Sequence, residues 1–567
     1  MHYLLTDDDF LIQQSAEEFA KKEIRDIDIL GLERFLEKVK DELSGKRKFT
    51  QKNFEQALEL GFITTEYASI NENYIHSVEE QTLSDFFREF PWDVYKKAAD
   101  LDMIGGHFAA GGDFAHLNIL QTVLIIEEFS KYPLGLSLTL GWIPGNVVQE
   151  NGSPEQIEKY LRLVRKGDST FSILATEPGA GSRLYDIVTH AKKNEAGKWV
   201  INGSKHFITN GTTSHFGVVL CRIKSGRLEG KHIMLIVDLN SEGVRKVEMT
   251  NKILLYTSPT SEVGFTNVVA EEVLGDEGKG FECMIKFLDS SRVSIAAQGV
   301  GIAQAAYDKA LEFAKSREIG NKRVIDFQEK RNQLAEMKTN IEAARQLTYY
   351  AARLIDSGKM DGRVSSMAKY LAAQVAVEVA ERAAQIHGGY RHFGDYLITI
   401  LERDAKILPT YEGTEDMQLQ SIAMEYERYK DGCSFILENN VLEAESMLKA
   451  GLQEAYNRLM DTYNQFKKTF NLLKEEGLLQ KQAVKFSLAK METDILAAQV
   501  LSMYAASYIN SHEKDFGVSD MAKQKAYDVA LNNSTVCKQL TDLIPENSGG
   551  PLHIARHILL ENIARYL

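Results

Sequence analysis

The residues best placed to do chemistry lie in the stretch Ile407-Leu408-Pro409-Thr410-Tyr411-Glu412-Gly413-Thr414. Pro409 cannot stand inside a helix, because it lacks an N–H and its ring clashes with the preceding turn. Gly413 permits a close backbone approach where the next helical pattern begins, with Met417, Ile422 and Met424. Glu412 is therefore held at a loop-to-helix junction beside the ring of Tyr411. Partial desolvation there raises a carboxylate toward the range of a general base. The plainer alternative is a solvated glutamate at a helix N-terminus, where the dipole favours negative charge. On this stretch alone the plainer alternative stands ahead.

Other stretches carry chemistry of a different kind. Thr176-Glu177-Pro178-Gly179-Ala180-Gly181-Ser182 has glycines that let backbone N–H groups approach an anionic or polar ligand. In Trp199-Val200-Ile201-Asn202-Gly203-Ser204-Lys205-His206-Phe207-Ile208-Thr209-Asn210-Gly211, the two-residue spacing puts Phe207 and Thr209 on one face of a strand. The ring can stack on a flat ligand while the hydroxyl hydrogen-bonds to it; a buried strand aromatic is the alternative. In Leu288-Asp289-Ser290-Ser291-Arg292 the guanidinium suits a phosphate, or else a surface salt bridge. His387 and His392 have no carboxylate cluster at ligand spacing beside them, so no metal site is expected.

Three kinds of element must position these groups. Residues 7–24 read as a helix capped by Thr6, with apolar Phe10, Ile12, Ala16 and Phe19 at helical spacing. Residues 28–85 are charged and helical in patches, and read as an inserted subdomain. From 171 the pattern changes to six β-branched and aromatic segments, Phe171–Thr176, Trp199–Asn202, His206–Thr209, Phe216–Ile223, His232–Leu239 and Val263–Val269, split by Gly, Asn and Ser turns. A small barrel or curled sheet is expected. From Gly280 the reading is helical, with long stretches at 281–317, 327–357 and 363–387; between Pro259 and Pro545 the only proline is Pro409. Beyond 428, Leu448, Leu452, Tyr456, Leu459, Tyr463, Phe466, Phe470 and Leu473 form an apolar stripe on one helix face, expected to pack on the bundle, with Gly477 as its cap. Helices follow at 482–510 and 519–541.

The balance of Lys plus Arg 66 against Asp plus Glu 80 leaves a net charge of −14 in 567 residues. That speaks against a general nucleic-acid binder, and the length implies two to four domains. Cys221, Cys283, Cys433 and Cys537 form no CxxC pair, which fits a reducing compartment and a cytoplasmic location. No signal-like apolar run opens the chain and no membrane span is expected.

Tyr411-Glu412-Gly413-Thr414, after Arg403-Asp404-Ala405-Lys406-Ile407, resembles the catalytic segment of the acyl-CoA dehydrogenase family. Thr176–Ser182 and Trp199–Gly211 resemble its two flavin-binding segments. Gln385-Ile386-His387-Gly388-Gly389 resembles its loop for the ADP half of the flavin across a dimer. The four motifs occur in family order, over about 1–27 and 86–428. The resemblance implies a mainly α fold with a central β-domain and an extra C-terminal helical domain. It implies domains at 1–170, 171–279, 280–428 and 429–567.

The resemblance further implies an FAD enzyme that converts an acyl-CoA thioester to a trans-2-enoyl-CoA. Glu412 would remove the pro-R α-proton and flavin N5 would accept the β-hydride. The enolate would be held by the Glu412 N–H and a flavin ribityl hydroxyl, and electrons would pass to an electron-transferring flavoprotein. Implied FAD contacts are Leu174, Thr176, Gly181, Ser182, Phe207, Ile208 and Thr209. Thr414, Asp416, Gln385, Gly388 and Gly389 join them, with Arg317 and Gln328 reaching a neighbouring subunit's FAD. Substrate contacts would be Ser182, Asp289, Arg292, Tyr411 and Gly413, in a homodimer or a tetramer. Some members carry the base where Ser291 stands; the absence of a carboxylate there strengthens Glu412. The chain departs from the pattern at Arg183, Phe207, Glu318-Ile319-Gly320-Asn321, Arg391 and Met424. An acyl-CoA oxidase and a flavin-bearing, DNA-associated relative remain as alternatives.

Overall fold

The computed structural model describes residues 3–24, 90–105, 108, 117–141, 144–249, 252–255, 258–393, 396–424, 426, 443–512 and 517–541. The expected insertion at 28–85 lies outside them. Helix α1 (Asp7–Phe19) begins as its sequence dictates: Thr6 accepts from the Asp9 amide, and the Asp9 side chain accepts from the Thr6 amide. A wider turn, Ala20–Ile24, continues it. α1 packs on α2 (Ile119–Phe129), whose own N-terminal amides at Ile119 and Leu120 are capped by the Asp356 carboxylate at 2.7 and 3.1 Å.

The middle of the chain is one eight-stranded sheet: β1 (Thr170–Leu174), β2 (His190–Lys193), β3 (Trp199–Thr209), β4 (Ser214–Ile223), β5 (His232–Asp238), β6 (Val244–Glu248), β7 (Thr260–Val269) and β8 (Glu272–Leu274). The order is β6-β7-β3-β2-β4-β5-β8, with β1 parallel to β4. Two expected segments, Trp199–Asn202 and His206–Thr209, are one strand. It crosses Gly203 with register shifts between Ile201 and Gly203 and between Lys205 and Ile208. The sequence reading had no β2, β6 or β8. Their residues are short or charged, and only Ala191 and Leu274 among them are fully buried.

Beyond the sheet, α3 (Gly280–Ser316), α4 (Gln328–Asp356) and α5 (Gly362–His387) fall within a residue of expectation. Alanine and glycine allow tight packing: a Cβ on Gly299 would lie 2.7 Å from the Ala372 carbonyl oxygen of α5, and one on Gly301 2.3 Å from that of Glu127 in α2. α6 (Leu397–Ala405) and α7 (Glu415–Ala423) flank the Pro409 loop.

The C-terminal stripe needs two corrections. It is not one helix, because Gly451 at φ +70 breaks the stretch between Ala444–Lys449 and α8 (Gln453–Glu475). Nor does α8 lie chiefly on the bundle. Its apolar face packs on α9 (Gln482–Ser511) and α10 (Val518–Thr541), and α9 carries the extension onto α4, α5 and α7. Tyr426 ties the two parts, donating to Glu492 at 2.6 Å and meeting Phe470 edge-on at 5.2 Å. Gly477 caps α8 in the left-handed conformation, as expected.

Candidate active site

Pro409 ends the turns after α6, and the chain crosses to α7 through Tyr411, Glu412 and Gly413. Thr414 caps α7, accepting from the Met417 amide at 3.4 Å. Glu412 sits at φ +52 and Gly413 at φ +92. A left-handed glutamate is uncommon and marks a backbone held by its surroundings. Three hydrogen bonds from two side chains hold it. Lys369 Nζ donates to the Gly413 carbonyl at 2.7 Å; Gln418 Nε2 donates to the same carbonyl at 2.8 Å and to that of Glu412 at 3.1 Å. The Glu412 amide N–H has no protein partner among the described residues.

The half-buried Glu412 side chain points at α3, where the Ser291 hydroxyl donates to its Oε2 at 2.7 Å. Burial raises its pKa above the ordinary carboxylate value, against the Ser291 bond and the charges of Arg292 and Lys369, which pull it down. The Tyr411 hydroxyl donates to buried Gln298. Beneath the loop, buried Asp404 accepts from the Leu134 amide at 3.2 Å and the Leu255 amide at 3.3 Å. One carboxylate thus pins three chain segments around Glu412.

Asp289 and Arg292 lie on the same turn of α3, Asp289 half-buried and Arg292 buried. Arg292 is 6% exposed and bound to Asp289 at 2.7 Å and to the Ser366 hydroxyl at 3.0 Å. An external phosphate contact needs an accessible guanidinium, which this burial denies; the Arg292 charge instead acts to lower the Glu412 pKa.

The two expected flavin segments meet: the His206 amide donates to the Thr176 carbonyl at 2.9 Å. Buried Lys205 bridges them again, to the Ala175 carbonyl at 2.9 Å and Glu177 at 2.8 Å. Glu177 also accepts from the Val188 and Thr189 amides. Burial works against the Glu177 carboxylate, but Lys205 and these donors hold its pKa below the ordinary value. At the bulge Phe207 adopts φ +58 and is 62% exposed, and Thr209, two residues on, is half-buried. Gly181 and Ser182 are exposed, and a Cβ on Gly179 or Gly181 would meet nothing within 4 Å. An open ring, a neighbouring hydroxyl and uncovered glycines fit the edge and face of an isoalloxazine ring.

Two members of that set are corrected. Leu174 is fully buried in the β-domain core, against Gly217, and Ile208 is 2% exposed in the same core. Neither side chain can touch a ligand. Strand alternation turns Ile173 and Ala175 to the other face, into the core shared with the helices.

Arg317, Gln328, Gln385, Gly388 and Gly389 are all exposed, and among the described residues none bonds to the Glu412 loop. The Arg317 guanidinium donates to the Tyr390 hydroxyl at 3.2 Å and lies over its ring. Asp416 is exposed in the first turn of α7. Of the departures, Arg183 pairs with Asp186 at 2.9 Å and Arg391 pairs with Glu402, while Met424 is 64% exposed. Arg391 is thus neutralised within its own chain.

A carboxyl of raised pKa on a left-handed turn, and on the β-domain an exposed aromatic with exposed glycines, are the features that the resemblance to the acyl-CoA dehydrogenase family leads one to expect. Family models agree: the acyl-CoA dehydrogenase N-terminal domain matches residues 70–168, the middle domain 172–268 and the C-terminal domain 278–426. The chain belongs to the acyl-CoA dehydrogenase family, whose cofactor is FAD. The N-terminal match begins within the 28–85 segment.

Among curated relatives, a 3-(aryl)acrylate reductase of Clostridium sporogenes is 35% identical over 59% of this chain and 90% of its own. The short-chain acyl-CoA dehydrogenase of Megasphaera elsdenii is 37% identical over 56% and 82%. The caffeyl-CoA reductase–Etf complex subunit CarC of Acetobacterium woodii is 34% identical over 59% and 89%. The solved butyryl-CoA dehydrogenase of Megasphaera elsdenii superposes with a TM-score of 0.58 at 29% identity, covering 75% of this chain and 99% of that one. An FAD complex of a Bacillus anthracis acyl-CoA dehydrogenase has a TM-score of 0.77 at 18% identity, covering 99% and 91%. The extension therefore belongs to a known variant of the fold. Among the described residues no helix is long and apolar enough to cross a membrane, and no group of His, Cys, Asp and Glu could hold a metal.

Proposed function

We propose that the protein oxidises an acyl-CoA thioester to its trans-2-enoyl-CoA, with Glu412 as the base that takes the α-proton. The observation that carries this is the Glu412 turn itself, which pairs a carboxyl of raised pKa with an amide N–H of its own that has no protein partner among the described residues. The carboxyl removes the proton while the N–H donates to the thioester oxygen as negative charge develops there, an oxyanion-hole arrangement. FAD, when bound, supplies the acceptor for the β-hydride. Phe207, Thr209, Thr176, Gly181 and Ser182 would hold its ring system. The exposed residues Arg317, Gln328, Gln385, Gly388 and Gly389 suit the cofactor of a second copy, so a homodimer is part of the proposal. An electron-transferring flavoprotein is the proposed acceptor, consistent with the relative named as part of an Etf complex.

Two relatives named as reductases of aryl-acrylic substrates favour a second reading, the same bond worked in the opposite direction. Glu412 would then return the α-proton as an acid. An anaerobic titration with saturated and aryl-acryloyl thioesters, in wild type and Glu412→Gln, tests both. Bleaching of the flavin by saturated acyl-CoA in wild type alone supports the oxidation. Recolouring of reduced protein by aryl-acryloyl-CoA alone supports the reduction. Wild-type rates in Glu412→Gln would remove Glu412 from either role.

A further inference from the structure

Lys369 lies within α5, fully buried, and the reaction as proposed has no use for it. A buried ammonium is unfavourable unless it is hydrogen-bonded and near opposite charge. Its Nζ donates at 2.7 Å to the carbonyl of Gly413, the residue after the base. Glu412 and Gly413 are consecutive left-handed residues, and that conformation leaves the Glu412 N–H without a protein partner among the described residues. A strained turn of this kind persists only when its surroundings over-determine it.

We propose that Lys369 is a positioning residue for Glu412: its bond to the Gly413 carbonyl locks the turn that presents the Glu412 N–H, and its charge favours the carboxylate form of the base. The proposal rests on Glu412 being that base. The charged groups facing Lys369 are Glu412 on the loop, Arg292 on α3 and Glu415 at the start of α7; Lys490 of α9 lies 3.7 Å from Glu415. Burial pushes Lys369 down to about 7, helped by Arg292 and opposed by Glu412 and Glu415. The ammonium in turn lowers the pKa of Glu412. Removing it leaves burial less opposed, so Glu412 binds its proton more tightly and the acid limb of activity moves to higher pH.

The test uses full-length, flavin-loaded protein with two readouts across pH. One is anaerobic flavin reduction by a saturated acyl-CoA. The other is α-proton exchange into D2O of a bound 3-thia-acyl-CoA, whose β-sulfur blocks hydride loss, so proton removal is read by itself. In Lys369→Met both rates fall about 10- to 100-fold with KM little changed, as misplacement of a reacting group predicts. The acid limb rises by about one pH unit, the effect of losing a neighbouring opposite charge. Lys369→Gln retains a donor, recovers part of the rate and keeps the raised limb. A Lys369→Met protein with wild-type flavin content, a rate within about twofold of wild type and an unmoved limb would overturn the proposal. So would lower rates and flavin content with an unmoved limb, since that is a structural role alone. If Lys369→Met does not fold, the limb of Lys369→Gln decides in the same way. Glu412→Gln is run beside them: wild-type exchange in it refutes the base assignment, and a silent Glu412→Gln with an unaffected Lys369→Met refutes only the lysine.

Discussion

Replacing Ser291 by alanine isolates one interaction at the base. The Ser291 hydroxyl donates to Glu412 Oε2 at 2.7 Å, and that bond opposes the effect of burial on the carboxyl. A hydrogen bond to a charged group contributes about 1.5–3 kcal/mol. At 1.36 kcal/mol per unit, its loss raises the Glu412 pKa by about 1–2 units. Proton removal requires the carboxylate, so the acid limb of kcat/KM moves to higher pH by the same amount. At the pH where wild type is half-active, Ser291→Ala is about 5- to 50-fold slower, and at high pH it recovers to near the wild-type plateau. The assay is a pH series of acyl-CoA oxidation with an artificial electron acceptor. A plateau loss with an unmoved limb would show that Ser291 only fills space. A limb moved to lower pH would refute the sign of the reasoning and with it the carboxylate as base.

Two further predictions concern stability. Glu177 and Lys205 are a buried pair at 2.8 Å that ties the Thr176–Ser182 loop to β3. Lys205→Met leaves a buried carboxylate without its partner and destabilises the β-domain by about 3–5 kcal/mol, read as a lower thermal midpoint together with weaker flavin retention. An unchanged midpoint would mean water replaces the lysine. Glu150, bound by the Ser290 hydroxyl, is raised by burial to about 7. A raised carboxyl favours the folded state at low pH, and that contribution is lost as pH climbs from the unfolded value through about 7. Glu150→Gln therefore matches wild type near pH 4 and exceeds it above pH 8 by at most about 3 kcal/mol, in denaturation series at the two pH values. A stability difference independent of pH would refute the assignment.

The long helices were legible because α3, α4 and α5 carry apolar residues at helical spacing with no proline until Pro409, which local chain geometry alone decides. Glu412 was legible for the same kind of reason: proline and glycine on either side of an acidic residue mark a turn whatever surrounds it. The bulge at Phe207 was not, since it arises from the pairing of β3 with β7. The charged strands β2 and β6 were equally hidden, because only Ala191 among their residues is buried and no apolar alternation marks them. Leu174 and Ile208 were misplaced when motif membership was allowed to outweigh strand alternation.

The amino-acid order by itself marked the α–β–α succession and the turn between Pro409 and Gly413, since each depends on neighbours within a few residues; Glu412 as a base came from the resemblance, not from its own stretch. Tertiary structure alone decided that Arg292 is buried under the site, that Asp404 pins three segments around it, and that Ser291, Gln418 and Lys369 converge on one turn. Those contacts join residues on separate helices, and the electrostatic environment of Glu412 exists only once the helices have packed.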